Sequence, residues 1–120
     1  MREIKFRVWD MYEKKFTRIF TLDKFNGIKV EHLNDLSWSR PYLVEEVFQQ
    51  YTGLTDRNGQ EIYEGDIFKD DYWWVGEATV EYANGMFGFE GGESGKLDFR
   101  PIIECEHIEI IGNIFEGVDK

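Results

Sequence analysis

The sequence predicts a mainly β protein with little helix, in which an N-terminal β-hairpin extension precedes a small barrel in the C-terminal half. Three observations predict it. Apolar residues recur at every second position, as in Ile4, Phe6 and Val8, which is the period of a strand with one buried face. Two Asn-Gly pairs, Asn58-Gly59 and Asn84-Gly85, sit between such runs. They are strong hairpin signals, because a type I′ turn needs positive φ at both central residues and Asn, Asp and Gly reach it at least cost. Aromatic residues make up 17% of the 120 residues, enough to fill a small β core.

Taken in order, the first strand ends at Asp10, and Tyr12-Glu13-Lys14-Lys15 turns the chain so that Phe16 to Thr21 returns as the second arm of a hairpin. On the first strand Lys5, Arg7 and Trp9 share one face and Ile4, Phe6 and Val8 the other; the polar face is expected to be solvated. After Asn26-Gly27 the run Ile28-Lys29-Val30 makes a further short strand. Residues 31–40 have no clean period, and a loop or helical turn anchored by Trp38 is expected. The segment after Pro41 is ambiguous: Leu43, Val44, Val47, Phe48 and Tyr51 fall at helical spacing, while residues 47–52 alternate. A strand over residues 46–52 is the reading adopted.

The stretch Tyr51 to Asp66 packs two reversals around a short strand: Asn58-Gly59 turns the chain once and Glu64-Gly65-Asp66 turns it again. Ile67 to Lys69 continues as a strand, residues 70–75 form a loop, and Gly76 to Tyr82 runs to the Asn84-Gly85 hairpin, from which Met86 to Glu90 pairs back. Gly91 to Gly95 is flexible by composition, and Leu97-Asp98-Phe99 precedes Pro101. Ile108 to Phe115 closes the set, with Gly112 a bulge or bend. About five strongly bent strands joined by tight turns meet the requirement of an SH3-like barrel. The chain is thus expected to form one domain, with residues 1–50 supplying the hairpin and a variable segment and residues 51–120 the barrel portion.

The string Thr52-Gly-Leu-Thr-Asp-Arg-Asn-Gly-Gln-Glu-Ile-Tyr-Glu-Gly-Asp-Ile67, the opening Arg2 to Asp10 and the ending Ile110 to Glu116 resemble, in that order, the YopX family of phage and prophage proteins. The segment from Leu22 to Glu45, the loop from Asp70 to Gly76 and the tail Gly117 to Lys120 depart from the pattern. The resemblance implies an all-β, phage-encoded protein with an SH3-like barrel and implies no activity, because the family has no settled biochemical role.

Composition narrows the function classes. One cysteine excludes an internal disulfide framework and suits a reducing cytoplasm. No apolar run approaches a membrane span, and the charged N-terminus precedes no signal-like core, so a cytoplasmic location in the bacterial host is expected. Twenty-four acidic residues against fourteen basic leave a formal charge of −10, which opposes nonspecific binding to nucleic acid or anionic membrane. The basic residues Arg2, Lys5, Arg7, Lys14, Lys15 and Arg18 gather near the N-terminus.

Chemistry is sparse. Asp56-Arg57-Asn58-Gly59 resembles the middle of a calcium loop, but the ligand spacing would fall on Leu54 and Gly65, whose side chains cannot bind; a turn is expected. Cys105 and His107 share a strand face and would make a thiolate and base, yet no orienting group or oxyanion turn accompanies them. A metal site from His32, Cys105 and His107 lacks a fourth ligand and any finger-like spacing. Acidic pairs at Glu45-Glu46, Asp70-Asp71 and Glu104 with Glu106 are what a chain this acidic carries anyway. Gly91 to Gly95 lacks the lysine of a phosphate loop. No catalytic residue, metal or cofactor is expected.

Two features point outward. Tyr72, Trp73 and Trp74 are consecutive rings that cannot all enter one small core, which makes them the candidate protein interface. The acidic surface would, if patterned, imitate DNA phosphates. The sequence therefore leads to a noncatalytic phage accessory protein that binds another protein or itself, with a homo-oligomer favoured by open β edges. The alternatives are an acidic DNA-mimic regulator of a DNA-binding protein and, further off, an enzyme using Cys105 and His107. The residues Asn58, Gly59, Gly65, Asp66, Asn84 and Gly85 are assigned to structural turns.

Overall fold

The computed structural model describes residues 3–70, 75–91, 98–102 and 107–118. Among them the chain forms twelve strands and no α-helix, so it is a mainly β protein, as the two-residue period predicts. It divides into two compact units, Met1–Gly53 and Leu54–Lys120.

The first unit is an antiparallel sheet of β1 (Ile4–Asp10), β2 (Lys15–Asp23), β3 (Gly27–His32) and most of β4 (Glu46–Thr55), in the order β3-β2-β1-β4. The predicted hairpin forms with Phe6 opposite Phe20 and Arg7 opposite Ile19, and a bulge between Val8 and Trp9 shifts the register. Its turn is built by Asp10, whose side chain accepts the N–H groups of Tyr12 and Glu13 at 2.9 and 2.8 Å. Lys14 adopts the left-handed region at φ 55° and donates its N–H to the Asp10 carbonyl. The segment after Pro41 enters a strand: β4 lies against β1 from Phe6↔Gln50 to Asp10↔Glu46. Alternation prevails over the helical spacing there because β1 offers an unpaired ladder, and context outweighs local propensity. Gly53 sits within that strand at φ 88°, which a side chain would strain.

Trp38 does not anchor the loop it lies in; its ring is fully exposed. Polar contacts hold that segment instead. Asn34 donates its side-chain N–H to the Phe16 carbonyl, the Ser37 N–H reaches Glu13, and the Arg40 guanidinium pairs with the buried Asp10 at 2.8 Å.

The second unit takes the end of β4, β5 (Glu61–Tyr63), β6 (Asp66–Asp70), β7 (Val75–Thr79), β8 (Glu81–Ala83), β9 (Met86–Gly91), β10 (Asp98–Pro101), β11 (Glu109–Asn113) and β12 (Gly117–Val118). They form a sheet β10-β9-β8 and a sheet β12-β11-β6-β7, with β5 beside β4. Ile62, Phe68, Ala78, Val80, Phe87, Phe89, Ile102 and Ile108 make one buried cluster, with the Phe68 and Phe89 rings meeting edge to face at 5.3 Å.

The two Asn-Gly pairs resolve differently. Asn84 and Gly85 have φ 54° and 77° with Ala83 opposite Met86, the type I′ hairpin predicted. At the other pair only Gly59 is positive, at 82°. The Gly59 N–H returns to the Asp56 carbonyl at 3.0 Å, so Arg57 and Asn58 are the centre of the turn and Gly59 follows it. The cause is Asp56, whose carboxylate accepts the N–H groups of Asn58 and Gln60, each at 2.9 Å, and so imposes the turn class. Gly65 at φ 87° and Asp66, which accepts the Tyr63 N–H at 2.8 Å, make the next reversal.

The run from Gly76 to Tyr82 is broken at Val80, which exchanges hydrogen bonds with Gly65 and Asp66 while the chain passes from the β6 ladder to the β9 ladder. Gly112 marks the bulge predicted for it, since the register against β6 shifts between Ile110 and Gly112. The closing strand stops at Asn113 rather than Phe115, because the Asn113 side chain accepts the N–H groups of Phe115 and Glu116 at 3.0 Å and turns the chain into β12.

Candidate interaction surface

Strand alternation gives the first unit two unlike faces. One carries Lys5, Arg7, Trp9 and, through the register, Phe16, Gln49 and Tyr51. This was the face expected to be solvated, and it is the more covered one. The Arg7 guanidinium lies 4.5 Å from the Phe16 ring centre and its Nε donates to Gln49 Oε1 at 2.8 Å. Lys5 stands 5.4 Å over the Tyr51 ring with its side chain only 16% exposed. Trp9 meets Phe16 edge to face at 4.9 Å. These cations are engaged by rings and by an amide, so they form no open row for phosphates.

The opposite face is apolar and exposed. Phe6, Phe20, Leu22, Ile28 and Phe48 line a shallow cavity of about 350 Å³. Leu22, Ile28 and Phe48 are 52%, 68% and 51% exposed, and Ile4 and Val30 extend the patch. The Phe20 and Phe48 rings stack at 5.7 Å with an interplanar angle of 19°. Arg18, paired with Glu46 and lying 5.2 Å from the Phe20 ring centre, closes the end of the patch toward Val8. Sequence reasoning missed this surface, although one signal was present: Leu22, Ile28 and Val30 alternate on either side of Asn26-Gly27 with no partner strand predicted to cover them.

Charge is divided unevenly. The first unit has nine lysines and arginines against eight acidic residues, whereas the second has five against sixteen. The net negative charge therefore resides in the second unit, at −11 against +1 in the first, and the apolar face belongs to the nearly neutral one. Within the second unit Asp56, Asp66 and Asp70 are buried. Glu109 lies between Arg57 and Lys69 at 3.7 and 3.5 Å. In the first unit burial pulls the Asp10 carboxyl upward, but hydrogen bonds from the Glu13 N–H, Arg40 and the Tyr12 N–H outweigh it and hold it below the ordinary aspartate range.

The aromatic trio Tyr72, Trp73 and Trp74 lies outside the described residues, as does Cys105. His107 is described: it is exposed, and its backbone N–H donates to the buried Asp70 at 3.4 Å. His32 lies at the end of β3. Among the described residues no group of three or more His, Cys, Asp or Glu is placed to hold a metal ion. Asp56, the residue that suggested a calcium loop, spends both carboxylate oxygens on backbone, with Oδ2 accepting the Ile110 N–H at 3.1 Å. No helix of the described residues is long and apolar enough to cross a membrane.

A family model described as YopX protein matches residues 5–118. The chain belongs to the YopX family. The matched span contains the Thr52 to Ile67 string, whose Asp56, Gly59, Gly65 and Asp66 hold two turns of the second unit. Among solved structures, this YopX-family chain is similar to protein EF1440 from Enterococcus faecalis, at 29% identity over 94% of each chain with a TM-score of 0.53. No curated protein matches.

Proposed function

We propose that this chain is a noncatalytic phage or prophage accessory protein of the host cytoplasm that recognises protein and assembles with itself, on a scaffold whose second unit is an SH3-like barrel. The observation that carries the reading is the exposed apolar face of Phe6, Phe20, Leu22, Ile28 and Phe48. Apolar side chains exposed together on one face, rather than scattered singly, mark sites of protein contact. Half-exposed Leu22, Ile28 and Phe48 each stand to contribute about 1 kcal/mol when covered, by the scale for burying such side chains. The barrel reading is supported by the Val80 break, where one chain segment serves two ladders around a single cluster.

A second reading, the DNA mimic, is favoured by the concentration of the net negative charge in residues 54–120. Burial of three of its aspartates and the pairing of Glu109 leave it fewer carboxylates to present.

The test exposes the immobilised protein and its Leu22→Asn/Phe48→Asn variant to lysates of host and infected cells at low and high salt. The apolar-face reading expects a bound protein that survives high salt with the wild type and is lost with the variant. Equal retention by both would overturn it. A basic protein released at high salt and displaced by duplex DNA would establish the mimic instead.

A further inference from the structure

We propose that two copies of this chain join edge to edge through β3, antiparallel and two-fold symmetric about Val30, so that one sheet runs through both copies. The proposal rests on the self-assembly part of the reading above and assigns it a surface.

Among the described residues β3 ends its sheet, paired on one side by β2 alone, and all six of its residues are exposed. The direction of its peptide groups follows from its ladder. The Leu33 N–H, one residue beyond the strand, donates to the Thr17 carbonyl at 2.8 Å. The register against β2 is unbroken from Arg18↔His32 to Asp23↔Gly27. In an antiparallel pair the inward and outward groups alternate. Gly27, Lys29 and Glu31 therefore turn their N–H and C=O groups to β2, and Ile28, Val30 and His32 turn theirs to the open edge. A two-fold axis at Val30 sets Val30 against Val30 of the second copy and Ile28 against His32, all outward-facing. That register offers about six new backbone hydrogen bonds.

Charge then selects this register from its neighbours. With the axis at Val30, Lys29 of each copy lies directly opposite Glu31 of the other, at the closer, non-hydrogen-bonded positions where side chains interact most strongly. Moving the axis one residue either way sets Lys29 against Lys29 or Glu31 against Glu31. The edge is complementary to itself in one alignment and repels itself in the two adjacent ones. The unit that bears β3 is itself nearly neutral, with nine basic residues against eight acidic. Ile28 and Val30 belong to the apolar face, so the joint would make the two apolar faces continuous.

The experiment is sedimentation velocity over a concentration series on the full chain and four variants. The wild type is expected to be a dimer at tens of micromolar. Val30→Pro removes an outward N–H, a change an edge strand tolerates on its solvent side, and should give a folded monomer. Lys29→Glu and Glu31→Lys should each weaken association at least tenfold, and an equimolar mixture of the two should restore it, because opposite charges then meet at both positions. Should Val30→Pro unfold, the charge variants decide. A monomeric wild type, or a dimer that survives Glu31→Lys unchanged, would overturn the joint. So would a dimer abolished by Leu22→Asn/Phe48→Asn but kept by Val30→Pro, which would seat the second copy on the apolar face. Salt-resistant capture of another protein by Val30→Pro would leave the recognition reading standing whatever becomes of the joint.

Discussion

Replacing Asp56 by alanine should cost the second unit about 3 kcal/mol, and the figure can be built bond by bond. Oδ1 accepts the Asn58 and Gln60 N–H groups at 2.9 Å, and Oδ2 accepts the Ile110 N–H at 3.1 Å. Hydrogen bonds to a charged acceptor contribute about 1.5–3 kcal/mol, and less where water can replace the partner. Asn58 and Gln60 are exposed, so about 0.5–1 kcal/mol each is reasonable, while the part-buried Ile110 bond belongs near 1.5. For a unit of this size that loss lowers Tm by about 15 °C. Asp56→Asn keeps a single acceptor oxygen and should cost about half as much. The assay is urea unfolding followed by circular dichroism, with a thermal melt alongside, each with and without millimolar calcium. A loss below about 1 kcal/mol in Asp56→Ala would refute the reasoning, and so would stabilisation of the wild type by calcium, since the carboxylate would then be serving a metal rather than three peptides.

Two further outcomes test other parts of the molecule. Asp10→Asn should cost about 2–3 kcal/mol at neutral pH, because it weakens the link to Arg40. The folded Asp10 carboxyl lies below its ordinary 3.8, so its contribution is complete above that pH and is lost as pH falls through the lower folded value. Melting curves from pH 6 to 2 should show the gap between wild type and variant closing in acid, and a gap that widens there would contradict the sign. Gly112→Ala would bring a methyl group to 2.0 Å from the Gly117 carbonyl and 2.8 Å from the Val118 Cα. Because both obstacles are backbone, β12 must move, with a cost of about 1–3 kcal/mol by thermal melt; wild-type stability would mean that β12 is not held against Gly112.

What the sequence disclosed was mostly local or periodic. Asn84-Gly85 carries its turn class within two residues, and the strands follow from alternation. Where the outcome depends on a partner the sequence alone misleads. Asn58-Gly59 is a reversal as expected, yet its class is decided by the carboxylate two residues before it. Alternation identifies Lys5 and Arg7 as face-mates but does not say which face the sheet covers, and here rings from β2 and β4 lie over them. Phe16, Ile19, Phe20 and Leu22 put apolar groups on both sides of β2, partly through the Val8/Trp9 bulge, which hides the exposed face behind an irregular pattern. Trp38 has no local signature that separates an anchor from an exposed ring.

The spacing of partners along the chain also sets an order in time. Every ladder of the first unit is complete once Thr55 has been made, so on the ribosome those strands need nothing that comes later. The second unit must wait: β6 pairs with β7 soon after it is made but finds its second partner only in β11, and Asp56 reaches Ile110 across 54 residues. A nascent chain stopped before residue 108 would hold an N-terminal sheet with its internal ladders formed, and a β6 edge and core cluster left open. During that interval the β6 edge that later receives β11 is a second open edge, at risk of pairing with the wrong chain.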